Sequence, residues 1–297
     1  HLSDQHEVRG SRYSPEAADA GEIHVPGRQG AERTSCRKCH GSSPHVSKGK
    51  LNDHTDKIAC QTCHIPQFSR GDYGSKMWWD WSTAGKLGQD GKQFSREDAD
   101  GFEIYSTKKG DFEWDKHTGP EYRWFNGTVL FTLLEDRIDP TGIVPINQFL
   151  GDPGEPGSRI WPVKMMRGKQ PYDVELQKLV APLTTTDKGY WKALDWTQAI
   201  ELGMKTVGMP FSGKYGFVET EMAWPITHMV APADESLQCA ECHDRNGVLD
   251  GVEGVYVPGR DKHTWLDRIG FALVLMTLFG VLGHWAARAL LGWKARD

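Results

Sequence analysis

All six cysteines of this chain lie in three copies of one short pattern. The copies are Cys36-Arg-Lys-Cys39-His40, Cys60-Gln-Thr-Cys63-His64 and Cys239-Ala-Glu-Cys242-His243. Two thiols three residues apart can form thioether bonds to the two vinyl groups of one haem, and the adjacent His can bind the iron from one face. The pattern therefore predicts three covalently bound haem c groups, with the His of each motif as the proximal ligand.

A CxxC pair can also form a redox-active disulfide or half of a zinc site. Neither alternative explains why a His directly follows the second Cys in all three copies. Haem of this type is attached on the outer face of the bacterial inner membrane, so we expect the haem-bearing part in the periplasm. The chain begins at His1 without an initiator Met or a signal peptide, and we infer processing or truncation.

A haem that carries electrons usually has a second ligand, most often His, on the other face of its iron. His45 follows His40 by five residues, a path too short to run around the edge of the same haem. His54 precedes Cys60 by six residues, and the same argument applies to it. Both are therefore expected to bind the iron of a neighbouring haem, which implies closely packed haems.

Other histidines outside the motifs have less specific positions. His228 and His263 flank the third motif, and we expect both to be distal ligands, although the sequence does not say of which haem. His24, ahead of the first motif, is a weaker candidate for a distal ligand. His117 lies in a charged turn, where a surface position explains it without iron.

The region between the second and third motifs contains no cysteine and is rich in Trp. Two β hairpins are predicted there, one joining 121–125 to 128–133 around Asn126-Gly127, and one joining 102–107 to 112–114 around Lys109-Gly110. A helix is predicted over 195–206, with Asp195 as its N-cap. The aromatic run 77–81 could be a docking surface or a haem-packing surface, but such clusters are more often core.

The expected fold is a loop-rich multihaem cytochrome c, mainly α with minor antiparallel β hairpins, and with one C-terminal transmembrane helix. Its 33 Gly and 16 Pro fit a chain with many loops. The predicted segments are a dihaem N-terminal segment at 1–66, the Trp-rich region at 67–235, a third haem segment at 236–265, the transmembrane helix at 266–293 and a cytoplasmic tail at 294–297.

Residues 269–287 contain no Asp, Glu, Lys or Arg and, as a helix, span roughly the 30 Å hydrocarbon core of a bilayer. Trp265 and Trp293 would lie about 42 Å apart along that helix, near the two headgroup belts. Basic residues are balanced before and after this helix, so they do not indicate its orientation. Because the haems are attached in the periplasm, we expect the N-terminal part there and the tail in the cytoplasm. The net charge of −5 and the scattered basic residues argue against a nucleic-acid partner.

With these motifs in view, the chain resembles the C-terminal part of the octahaem tetrathionate reductase family of c-type cytochromes. The resemblance runs from about Ser35 to Trp265. Besides the three haem motifs, it rests on four segments: Cys60-Gln-Thr-Cys-His-Ile-Pro66, Lys76-Met-Trp-Trp-Asp-Trp-Ser-Thr-Ala-Gly-Lys86, Glu121-Tyr-Arg-Trp-Phe-Asn-Gly127 and Ser158-Arg-Ile-Trp-Pro-Val-Lys164.

The resemblance implies a periplasmic reductase of tetrathionate, with nitrite and hydroxylamine as other substrates, and eight haems of which this chain carries three motifs. In that family the catalytic haem has a Lys as distal ligand and belongs to the N-terminal group, so no catalytic residue is assigned here. A further haem domain is then expected from missing N-terminal sequence.

The C-terminal helix departs from the soluble form of that family. It suggests a membrane electron-transfer partner, a cytochrome b or a quinol-oxidising subunit. The alternative function is a non-catalytic relay that carries electrons between such a partner and a periplasmic reductase.

Overall fold

The computed structural model describes residues 36–71 and 73–294. Its helices are α1 (Cys36–His40), α2 (Gly49–His54), α3 (Cys60–His64), α4 (Tyr190–Ala193), α5 (Trp196–Thr206), α6 (Cys239–Cys242) and α7 (Thr264–Lys294). Its strands are β1 (Ser75–Asp80), β2 (Ser95–Glu97), β3 (Glu103–Ser106), β4 (Gly110–Asp115), β5 (Glu121–Phe125), β6 (Val129–Phe131), β7 (Val144–Pro145), β8 (Asn147–Phe149), β9 (Arg159–Asp173), β10 (Lys178–Leu179) and β11 (Tyr215–Pro225).

One mixed sheet organises this part of the chain. Its strand order is β2-β3-β4-β1-β9-β11-β7, and β5 and β10 also pair with β9. The antiparallel pairing of β9 with β11 runs from Asp173 opposite Tyr215 to Val163 opposite Pro225. β1 runs parallel to β9, and β6 and β8 form a separate two-stranded sheet. The long strand β9 is therefore the centre to which the other elements are attached.

The prediction of a mainly α fold is wrong for the haem-bearing part. Outside α7, the longest element is β9, with 15 residues, and β11 has 11. Pro162, Gly168 and Pro171 lie inside β9 and hide it from pattern analysis, because both residue types normally interrupt strands. Gly168 has a packing reason, since a Cβ there would lie 2.3 Å from the carbonyl oxygen of Trp79 in β1.

The hairpin around Lys109-Gly110 is confirmed, as β3 pairs with β4 and Ser106 lies opposite Gly110. The hairpin around Asn126-Gly127 is wrong, because β5 pairs with β9 and β6 pairs with β8. The predicted helix over 195–206 is confirmed as α5. The carboxylate of Asp195 accepts a hydrogen bond from the backbone N–H of Gln198 at 3.0 Å and caps this helix.

The aromatic run 77–81 contributes mainly to packing. The ring of Trp79 contacts those of Trp81 and Phe112, with centroids 4.6 and 5.4 Å away. Trp81 in turn contacts Trp196, which stacks on Tyr190 at 3.8 Å. These rings join β1 to the core beside α5, which supports the core interpretation for Trp79 and Trp81.

The chain divides into two compact units. Among the described residues, the first contains those from 36 to 238 together with Gly251–Gly254, and the second contains Cys239–Asp250 together with those from 255 to 294. In the second unit, α7 is the one helix within 36–71 and 73–294 that is long and apolar enough to cross a membrane. Nearly all described side chains of α7 are exposed, including Phe271, Met276 and Phe279.

Candidate haem-binding sites

Each CxxCH motif forms a single turn of helix, namely α1, α3 and α6. Residues three apart on a helix lie on the same side, so this turn points both thiols of the second motif, and both thiols of the third, in one direction. In the first and second motifs the following His is the last residue of the helix, and His243 continues the third helix by donating its backbone N–H to the carbonyl of Cys239 at 2.8 Å. The three turns therefore suit thioether attachment to one planar group each.

The second motif is held firmly against the sheet. The backbone N–H of Ala59 and the hydroxyl of Thr62 both donate to the carbonyl of Ile160 in β9, at 3.0 and 2.7 Å. Thr62 is fully buried, and the carbonyl of His64 accepts from the backbone N–H of Ala231 at 2.8 Å. The position of His64 is therefore fixed by β9 on one side and by the chain after β11 on the other.

The rings of His45 and His64 lie close together and nearly parallel in the first unit. Their ring centroids lie 6.1 Å apart, and their planes differ by 7°. Two metal–imidazole bonds of about 2 Å, plus the radius of each ring, separate the centroids of two trans ligands by about 6 Å. A separation of 6.1 Å between nearly parallel rings is therefore the one expected if His45 and His64 held one haem iron between them.

A hydrogen-bond network with Asn52 in α2 orients the ring of His45. The side-chain oxygen of Asn52 accepts the backbone N–H of His45 at 3.0 Å, which identifies that atom as the oxygen rather than the nitrogen of the amide. The same oxygen lies 3.2 Å from Nδ1 of His45, so Nδ1 must carry the proton. Nε2 is then the nitrogen with a lone pair for a metal.

The third motif is oriented by a loop of its own unit. Nδ1 of His243 donates to the carbonyl of Pro258 at 3.0 Å, which again leaves Nε2 for iron. The largely buried Arg260 holds this loop, donating to the carbonyls of Leu249 and Val255 at 2.5 and 2.7 Å and to the carboxylate of Asp261.

The other candidate ligands have different surroundings. Nδ1 of the exposed His54 donates to the carbonyl of Lys50 at 2.7 Å, one helical turn earlier. His263 is exposed in the same unit as His243, with its ring 5.4 Å from that of Tyr256. His228 is half-buried beside the hydroxyl of Thr227, and burial lowers its pKa, which favours the neutral ring that binds metals.

The pairing of His54, His228 and His263 with particular irons stays a prediction. His24 lies outside the described residues. His117 is exposed, with a positive φ of 50°, at the turn after β4, in agreement with a surface position.

The alternative chemistries of the cysteines have less support. Burial, with the neighbouring Glu241 and Cys239, raises the pKa of the Cys242 thiol to about 11. Redox-active thiols show the opposite shift, a lowered pKa. In the part of the chain that the structure describes, no three His, Cys, Asp or Glu side chains are grouped to hold one metal ion. A haem needs only two protein ligands, because the porphyrin supplies the other four nitrogens.

A family model for bacterial cytochrome c matches residues 76–246, more than half of the chain. This chain belongs to the bacterial cytochrome c family. The cytochrome is also similar to the crystal structure of an octahaem cytochrome c from Shewanella oneidensis, with 38% sequence identity and a TM-score of 0.69. That match covers 77% of this cytochrome and 52% of the octahaem chain, so the cytochrome spans about half the length of that protein. No curated protein matches the sequence.

Membership of this family implies covalently bound haem c and electron transfer, and the six cysteines and their histidines fit that cofactor. No sequence pattern marks the groups that orient the histidines of the cytochrome, which are Asn52, the Pro258 carbonyl and Arg260. Only the bond from His54 to the carbonyl four residues earlier could have been expected, from the geometry of a helix.

Proposed function

We propose that this cytochrome holds three haem c groups and passes electrons between a membrane electron-transfer partner and a periplasmic haem-containing reductase. When bound, each haem supplies one-electron exchange between ferric and ferrous iron. The observation that carries the proposal is the pair His45 and His64, whose parallel rings 6.1 Å apart would leave no axial face of an iron bound between them open to a substrate. An iron with both axial positions filled transfers electrons and does no other chemistry.

We further propose that the reductase is of the octahaem type, acting on tetrathionate, nitrite or hydroxylamine. Support comes from the 38% identity to an octahaem cytochrome c and from the half-length of the match, which leaves room for the remaining haems in a separate part. Catalysis then belongs to that part, and the three haems of this chain deliver electrons to it.

The proposed location is the inner membrane, with α7 as a single span, the haem-binding residues in the periplasm and the C-terminus in the cytoplasm. The exposed apolar side chains along α7 support this placement, because water does not stabilise such a surface on an isolated helix. The membrane partner would be a cytochrome b or a quinol-oxidising subunit beside α7.

The test is a pyridine haemochrome assay combined with an electron paramagnetic resonance (EPR) spectrum of the oxidised protein, purified in detergent. We expect three haems for each chain, all of them low-spin. Fewer than three haems for each chain would contradict the assignment of one haem to each CxxCH motif. A high-spin signal from intact protein would place an open iron, and therefore a reaction site, within these 297 residues.

A further inference from the structure

We propose that Asn52 is a positioning residue for the haem whose distal ligand is His45, fixing the plane of that imidazole and its proton at Nδ1. This inference rests on the proposed binding of His45 and His64 to one iron. It adds that the geometry of the pair depends on an amide that binds neither the haem nor the iron.

The two residues are joined by three hydrogen bonds. The side-chain oxygen of Asn52 accepts from the backbone N–H and from Nδ1 of His45, at 3.0 and 3.2 Å. The side-chain nitrogen of Asn52 donates to the carbonyl of His45 at 3.2 Å. Because the amide holds both the backbone and the ring, rotation of the imidazole about its own bonds breaks the ring contact while the backbone stays in place.

Asn52 is itself tied to the central strand. The carbonyl of Asn52 accepts the hydroxyl of Thr55 at 2.8 Å, and the carbonyl of Thr55 accepts Nε of Arg159, at the start of β9, at 2.7 Å. The residue after Arg159 is Ile160, which holds the helix of His64. Hydrogen bonds therefore connect the segments of both imidazoles to the same two adjacent residues of β9. This shared attachment explains how two rings from separate segments are held within 7° of parallel.

The orientation matters because it sets the electronic structure of a low-spin ferric haem. Parallel axial imidazoles give a rhombic EPR signal, whereas perpendicular ones give a single feature at a much larger g value. The acceptor at Nδ1 matters as well, since a stronger acceptor makes the imidazole a better electron donor and stabilises ferric iron. A neutral amide is a weaker acceptor than a carboxylate. We therefore expect the reduction potential of this haem to lie above the value with a carboxylate acceptor and below the value with no acceptor.

The experiment compares Asn52→Leu and Asn52→Asp in the full chain purified in detergent. Asn126→Leu is the matched control, since Asn126 also makes three side-chain hydrogen bonds, to Glu155 and Thr128, and touches no proposed ligand. The EPR signal of the haem that His45 binds is identified as the one that changes in His45→Met. Circular dichroism checks that each variant is folded. If Asn52→Leu fails to fold, Asn52→Asp still tests the role of Asn52, because Asp keeps the side-chain shape and the acceptor oxygen.

We expect Asn52→Leu to move the His45 signal away from its rhombic form and to raise the midpoint potential of that haem. Asn52→Asp should keep the rhombic signal and lower the potential, while Asn126→Leu changes neither. If both Asn52 variants match Asn126→Leu while His45→Met converts a haem, the positioning role is wrong and the ligand assignment stands. If His45→Met converts no haem, the assignment of His45 is itself wrong, and the role of Asn52 is overturned with it.

Discussion

Three of the proposed iron ligands share one arrangement of their imidazole rings. In His45, His54 and His243, Nδ1 donates to an oxygen, and in two of them that oxygen is a backbone carbonyl. This bond fixes the tautomer in which Nε2 carries the lone pair, and it limits rotation of the ring. The acceptors of these three Nδ1 atoms are thus neutral groups, two backbone carbonyls and one side-chain amide.

Replacing His45 by Met tests which haem this residue serves. We expect the haem on Cys60 and Cys63 to change from two His ligands to one His and one Met, because His45 lies opposite His64. A Met ligand raises the reduction potential and adds an absorption band in the far red. Optical spectra and a redox titration of the purified protein measure both effects.

Locating the change needs a background without the first haem. In Cys36→Ala, Cys39→Ala protein, exchange of His45 should still produce the Met-type spectrum. Loss of the effect in that background would mean that His45 binds the first haem and that the argument from chain length is wrong. His117→Asn is the control, since His117 is exposed and Asn tolerates its positive φ.

Sequence spacing could identify candidate ligands at this scale but not the groups that hold them. The four residues between His40 and His45 are too few for both histidines to bind one iron from opposite faces. The acceptors of His45 and His243 lie seven and fifteen residues away, with no periodic pattern that would mark them. Their roles depend on loop geometry, which arises only when the sheet and the loops have formed.

At the scale of elements, β9 joins the second haem motif to the rest of the first unit. Its first residues bind the segment that contains α2 and α3, and its middle pairs with β1. Different parts of β9 also pair with β5, β10 and β11. The haem segment is therefore attached to the most extensively paired strand of the sheet. Damage to the β1–β9 contact should weaken the first unit as a whole.

Gly168→Ala tests that contact. The new Cβ would lie 2.3 Å from the carbonyl oxygen of Trp79, so the backbones of β1 and β9 must move apart. We expect a loss of about 1–3 kcal/mol in the free energy of unfolding, the usual cost of overpacking a tight site. Denaturant unfolding followed by circular dichroism measures it.

Gly142→Ala is the matched control, because a Cβ at Gly142 meets no atom within 4 Å. Its unfolding midpoint should stay close to that of the unchanged protein. Equal midpoints for the two variants would show that β1 and β9 can separate at no cost, contrary to the role given to this pairing.

The wrong hairpin shows why local signals misplace strands. Asn126-Gly127 does form a turn, since the Asn126 side chain accepts the backbone N–H of Thr128 at 2.9 Å and Gly127 has a φ of 93°. The strands on either side separate, however, because Phe125 is buried against Trp161 and Ala59 when β5 pairs with β9. Tertiary burial decides the partner of a strand, and short-range turn chemistry does not reveal it.

At the scale of the whole molecule, the proposed ligands are divided between the two compact units. The first unit contains the first two motifs with His45, His54 and His228, and the second contains the third motif with His263 and continues into α7. The unit that contains α7 thus has two candidate ligands, His243 and His263, for the third haem. In the proposed electron path, the haem of this second unit is the one in sequence with the membrane segment.

The membrane role of α7 can be tested at the middle of its apolar stretch. In Leu275→Arg, Leu278→Arg protein, each Arg near the centre of the span costs about 2.5–3.5 kcal/mol of insertion free energy. Leu275→Ala, Leu278→Ala is the control with the same positions and no charge. We expect the unchanged protein and the Ala variant to stay in membranes after alkaline carbonate washing, and the Arg variant to be extracted.

The haem stoichiometry and EPR spectra of the extracted Arg variant should match those of the unchanged protein, because the proposed ligands all precede α7. Retention of the Arg variant in washed membranes would contradict the assignment of α7 as the anchor. Extraction of all three proteins would mean that the exposed apolar surface of α7 is covered by another protein rather than by lipid. In that case the proposed electron path through a membrane partner would be wrong.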